Sequence, residues 1–94
     1  MSERALVQRT LRALRALPEC YVIKTHGGIY TRRGEPDLMG CLAGHAFAIE
    51  LKTAVGRITA LQSLRLEQWA KSGARTGVAR TVGEAIAIAK GDRS

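Results

Sequence analysis

Apolar positions recur along this chain at three different spacings, and each spacing predicts an element. Over residues 2–17 an advance of roughly 100° per residue puts Leu6, Val7, Leu11, Ala13, Leu14 and Leu17 on one arc. Arg4, Gln8, Arg9, Arg12 and Arg15 fall on the opposite side, and Glu3 projects near the middle of the apolar arc. That pattern predicts an amphipathic helix, with Ser2 as N-cap and Pro18 as its stop. A short strand over residues 20–25 follows, then a glycine- and arginine-rich loop from His26 to Glu35. A second strand is expected over 37–42, and Gly44 turns the chain into a third over 46–53. In that third strand Phe47, Ile49 and Leu51 point to one face, while Ala48, Glu50 and Lys52 point to the other.

A second helix is predicted over 60–72. Thr59 and Gln62 form a capping box, and Gly73 closes the helix. Gly77-Val78-Ala79-Arg80 and its neighbours make a last short strand. Thr81 and Glu84 repeat the capping pattern ahead of a final helix to about Lys90, with a frayed tail beyond it. The order is therefore α-β-β-β-α-β-α. Strands joined by short loops pair antiparallel, and a strand that returns after a helical crossover lies parallel to its neighbour. The expected fold class is mixed α+β, a small mixed sheet flanked by helices in one domain spanning residues 1–94.

Composition adds a charge argument. Fifteen Lys and Arg against eight Asp and Glu give +7 and a pI near 10.3, which favours a polyanionic partner such as nucleic acid. Charge sets attraction and not chemistry. Cys20 and Cys41 lack metal-site spacing and read as reduced, buried small hydrophobes of a cytosolic protein, with a disulfide between them as the alternative. No signal peptide is visible, and the apolar runs are too short to span a membrane.

The chemistry is expected around Pro36-Asp37 and, thirteen positions after the aspartate, Glu50-Leu51-Lys52. Glu50 and Lys52 leave the same strand face roughly 7 Å apart. A hairpin can bring Asp37 beside Glu50. Two adjacent carboxylates repel unless a cation sits between them, and oxygen ligands with open positions suit Mg²⁺ or Mn²⁺. A bare E-x-K pattern is more often a solvated ion pair. Here the strand around it is apolar enough to be central, and a charge on a buried strand needs a reason.

Several motifs together carry a resemblance. They are Gly34-x-Pro36-Asp37-Leu38, Phe47-Ala48-Ile49-Glu50-Leu51-Lys52-Thr53, Gly56-Arg57-x-Thr59-x-x-Gln62, Trp69-x-x-x-Gly73-Ala74 and Gly77-Val78-Ala79-Arg80. In these the chain resembles the VRR-NUC family of the PD-(D/E)xK nuclease superfamily, over residues 3–89. The resemblance implies a restriction-endonuclease-like core and metal-dependent phosphodiester hydrolysis. It implies Asp37, Glu50 and the Leu51 carbonyl as metal ligands, Lys52 as the catalytic lysine, and Glu3 and Gln62 as further active-site residues. It also implies a minimal, viral-type homodimer acting on branched DNA such as Holliday junctions, in the cytoplasm of a bacterial or phage-infected cell. The alternative is a catalytically weak or inactive DNA-binding module with the same fold.

Other residues have two readings each. Glu3 also complements the helix dipole, and Gln62 is also explained by its capping box. Tyr30, Arg32 and Arg33 are placed to contact phosphates, with Lys24 and Arg57 of the same rank. The arginine face of the first helix (Arg4, Arg12, Arg15) is either solvated or part of an electrostatic track. His26 is either a phosphate contact or an exposed loop residue, and His45 is read as structural. Trp69 is read as core or dimer contact rather than a base-stacking residue.

Overall fold

The structure, a computed structural model, describes residues 1–25 and 32–92. His26 and Tyr30 lie outside the described residues, as does the end of the tail. Seven elements follow in the expected order: α1 (Glu3–Arg15), β1 (Cys20–Lys24), β2 (Leu38–Leu42), β3 (His45–Leu51), α2 (Ala60–Lys71), β4 (Arg75–Ala79) and α3 (Val82–Lys90). The strands form one sheet in the order β1-β2-β3-β4, with β1, β2 and β3 antiparallel and β4 parallel to β3.

Local chemistry accounts for the boundaries. Ser2 caps α1 by accepting the Ala5 N–H at 3.1 Å. Thr59 and Gln62 complete a reciprocal capping box at α2, satisfying two backbone donors that a helix start otherwise leaves orphaned. At α3 the pattern is only half realised. Thr81 accepts the Glu84 N–H, but the Glu84 carboxylate takes the Arg80 N–H at 2.7 Å instead of closing the box. Between β2 and β3 the two-residue turn Ala43-Gly44 has φ of 50° and 85°, the left-handed pair that matches the twist of a tight hairpin.

One face of the sheet meets α1 and α3. Leu6, Val7, Leu11 and Leu14 pack there with Val22, Leu38, Leu42, Phe47, Ile49, Leu51, Ala79, Ala85 and Ala89. Each fully buried Leu, Ile or Phe in this set contributes about 1.5–3 kcal/mol. Helix α2 packs on β3 and β4, and its one buried residue, Leu66, lies outside that cluster. With cover on both sides, β3 is buried without a break from Phe47 to Leu51, so the alternation read in the sequence separates two interior faces. This is what places a glutamate inside the molecule.

Three expectations change. Cys41 is exposed and Cys20 half-buried, both as free thiols. Cys41 lies opposite Tyr21 on the β1–β2 side of the sheet, and both are exposed. Glu3 is exposed rather than part of the buried arc, because the helix starts there and its first turn extends past the core. Thr10 is fully buried and takes a place in the interior that the apolar arc did not assign to it.

Candidate active site

The register of β2 against β3 decides where the acids go. Leu38 faces Ile49, and one further step along the same register sets Asp37 opposite Glu50. Residues opposed across neighbouring antiparallel strands project from one face with Cβ atoms roughly 5 Å apart. The tight Ala43-Gly44 turn thus converts a thirteen-residue interval into side-by-side carboxylates. Lys52, two residues beyond Glu50, shares their face.

Asp37 is 8% exposed and immediately precedes β2. Its carbonyl accepts the Thr25 N–H at 2.9 Å. Its carboxylate Oδ2 accepts the Leu51 N–H at 2.8 Å. The Thr25 hydroxyl donates to the carbonyl of Pro36. Backbone contacts on both sides therefore fix the aspartate. Leu51 turns its N–H toward Asp37 and, as in any extended residue, its carbonyl leaves the strand on the same edge.

Glu50 is 1% exposed. Oε2 lies 3.4 Å from the Lys52 ammonium, while Oε1 is buried with no hydrogen-bond partner among the described residues. Burial pushes the Glu50 carboxyl up to about 7, the charge of Asp37 adds to the rise, and Lys52 opposes it. A buried acceptor without a donor costs on the order of 1–3 kcal/mol. Such an oxygen calls for an explanation, and a cation would supply one.

Glu3 completes the group. One carboxylate oxygen each from Glu3, Asp37 and Glu50 lie within 4.8 Å of one another. Three carboxylates from separate elements, one of them with an oxygen that has no hydrogen-bond partner among the described residues, fit a hard divalent cation. The helix start at Ser2 delivers the first, the start of β2 the second and the end of β3 the third. Sequence placed Glu3 at the site on an incorrect picture of its burial; its position in the first turn of α1 is what brings it there.

No family model matches the chain, and no curated protein matches it. Solved structures do match it, among them these two. One, titled "VRR_NUC domain", superposes with a TM-score of 0.72 at 22% identity, covering 96% of this chain and 97% of that one. Another, "VRR_NUC domain protein", gives 0.73 at 19% identity over 97% of this chain and 87% of its own. This chain has the VRR_NUC fold. At such identity the likeness is one of architecture, and it extends over nearly the whole molecule.

Within this VRR_NUC fold the other predicted residues are spread unevenly. Lys24 is exposed and lines a cleft of about 510 Å³ with Glu3, Arg4, Val7, Gln8 and Asp37. Arg4 and Gln8 were read onto the far side of α1, yet they border the acids, because the helix presents its N-terminal flank there. Arg32, Arg33 and Arg57 are exposed. Gln62 is turned to its own helix start, where Oε1 accepts the Thr59 N–H at 2.9 Å. Trp69 is half-buried, and its indole N–H donates to Glu35 at 2.8 Å. Sequence reasoning missed Glu35 and Arg80. The Arg80 guanidinium donates to the carbonyls of Thr53 and Gly56, both at 2.6 Å, clasping the loop that follows Lys52. Nothing in the linear pattern joins an arginine to carbonyls 27 and 24 residues upstream.

Proposed function

We propose that this chain is a divalent-metal-dependent endodeoxyribonuclease. The observation that carries the reading is the convergence of Glu3, Asp37 and Glu50 beside Lys52, with one Glu50 oxygen buried and without a hydrogen-bond partner among the described residues. Mg²⁺ or Mn²⁺ held by Asp37, Glu50 and the Leu51 carbonyl, with Glu3 adjacent, would polarise a phosphodiester and make a bound water more acidic. The protein's own groups do the remainder. The Leu51 N–H holds the Asp37 carboxylate in one orientation. Lys52 offsets the charge of Glu50 and presents its ammonium where negative charge builds on the phosphate.

DNA is the substrate class that fits a chain of +7. Lys24, Arg32, Arg33 and Arg57, with Tyr30, contact phosphates and set orientation rather than sequence. Among the described residues no element is shaped to read bases, so selection is by shape, with branched DNA such as Holliday junctions preferred. A homodimer places two such sites on two strands, as symmetric cleavage requires.

Cleavage of labelled junction, flap and duplex DNA in Mg²⁺ or Mn²⁺ tests this. Wild type is expected to cut, with the junction favoured. Lys52→Ala and Asp37→Asn are expected to lose at least a hundredfold in rate while still binding, the usual scale for losing one charge-stabilising group. Binding without cutting by the wild type in either metal would instead identify an inactive DNA-binding module.

A further inference from the structure

We propose that Glu35 is a positioning residue, which docks the turn before Asp37 onto helix α2 through Trp69 and Arg65 and so sets the metal affinity of the site. The inference rests on the nuclease reading only in taking Asp37 as a ligand.

The turn over residues 32–36 is fastened along one stripe of α2. Gly34 has φ +80°, and a Cβ there would meet Leu61 Cγ at 2.5 Å, so the backbone presses directly on the helix. Arg65 Nε donates to the Arg33 carbonyl at 3.3 Å and lies 3.9 Å from Glu35 Oε2. The Trp69 indole donates to Glu35 Oε1 at 2.8 Å. Leu61, Arg65 and Trp69 are successive i, i+4 neighbours, which fall on one face of a helix. Both Glu35 oxygens are thus engaged, in a side chain only 17% exposed.

Between this clasp and the acid stands only Pro36. It is fully buried, its ring fixes φ, and the Thr25 hydroxyl holds its carbonyl. Little rotational freedom separates Glu35 from Asp37, so displacement of the clasp moves the carboxylate. Hydrogen-bond partners one shell out from metal ligands commonly change metal affinity by about 10–100-fold.

Trp69 is the only tryptophan in the chain, so its emission reports the clasp directly. Mn²⁺ titration by calorimetry on wild type, Glu35→Ala, Glu35→Gln, Trp69→Phe and Asp37→Asn tests the proposal, with circular dichroism confirming that each is folded. Glu35→Ala and Trp69→Phe are expected to bind Mn²⁺ roughly tenfold more weakly. Glu35→Gln, which keeps an acceptor for the indole, should recover most of the affinity. The Trp69 emission should change in Glu35→Ala and stay close to wild type in Glu35→Gln. Folded Glu35→Ala with wild-type affinity overturns the proposal, and so does an unchanged emission spectrum. If Glu35→Ala does not fold, Trp69→Phe decides in the same way. Asp37→Asn that binds Mn²⁺ like wild type, or a wild type that binds none, overturns the metal-site reading itself. Weaker binding in Asp37→Asn alone, with the clasp variants unchanged, removes the clasp and keeps the site.

Discussion

Glu50 is a carboxylate with one oxygen facing Lys52 and the other facing no donor among the described residues. That arrangement has a pH signature. An unfolded glutamate ionises near 4.5, whereas burial and the neighbouring Asp37 push the folded Glu50 up to about 7. Between those values the folded chain keeps a proton that the unfolded chain has released. Raising the pH therefore favours unfolding. In a chelating buffer, the melting temperature should fall across that interval and then level off with respect to this group. Glu50→Gln, which cannot ionise, should flatten the slope. Mg²⁺ or Mn²⁺ should act in the opposite sense, because a cation binds the deprotonated carboxylate. The metal-induced rise in melting temperature should grow as pH increases from about 5 to about 8. A rise that shrinks with pH would mean the cation binds elsewhere. Asp37, Glu50 and Lys52 were legible in the sequence because strand alternation and a hairpin interval are local arithmetic. Thr10 was not: burying a threonine at 0% exposure depends on what packs around it.

At the scale of elements, caps and turns were legible for the same local reason. The box of Thr59 and Gln62 is a pattern four residues long, and it formed as read. The resemblance gave Gln62 a second, catalytic role, and the two roles separate experimentally. Gln62→Ala removes half the box and should cost about 1 kcal/mol, or roughly 4–8 °C in melting temperature. If Gln62 serves the cap alone, the cleavage rate at a temperature well below melting should stay within twofold of wild type. A rate loss of tenfold or more would put its amide in the active site. The Arg80 clasp was illegible because it joins β4 to the loop after β3 across a helical crossover. Arg80→Ala should loosen that loop, raising amide exchange over residues 53–57 more than in the core strands. Arg80→Lys should not restore protection, since an ammonium lacks the planar fork of a guanidinium. The order of elements and the β2–β3 hairpin were legible, since a short connection gives antiparallel neighbours and a helical crossover a parallel pair; which strand β4 would join was not. Missing from the linear pattern was cover on both faces of β3, which turns an alternating strand into a continuously buried one.

For the molecule as a whole, the charges are arranged around a conflict. Its surplus of +7 favours a polyanion, but the site proposed to receive the phosphate is lined by Glu3, Asp37 and Glu50. Without a cation the carboxylates repel the backbone they should hold. In the proposed nuclease, Lys24 and Arg4, on the rim of the same cleft, would draw it in. Two opposite responses to mutation follow. Neutralising one of the cations proposed to meet phosphate, Lys24, Arg32, Arg33 or Arg57, should weaken junction binding for every sequence. It should also reduce the slope of log affinity against log salt by about one for each phosphate that no longer meets a cation. Asp37→Asn should do the reverse in a chelating buffer: one negative charge fewer strengthens binding while cleavage is abolished. Adding Mg²⁺ should then tighten DNA binding of the wild type more than that of Asp37→Asn, since only the wild type keeps the full ligand set. Gel-shift titrations at three salt concentrations, with and without metal, read all of these effects in one experiment. Weaker binding by Asp37→Asn in chelator would mean that the acids do not face the DNA.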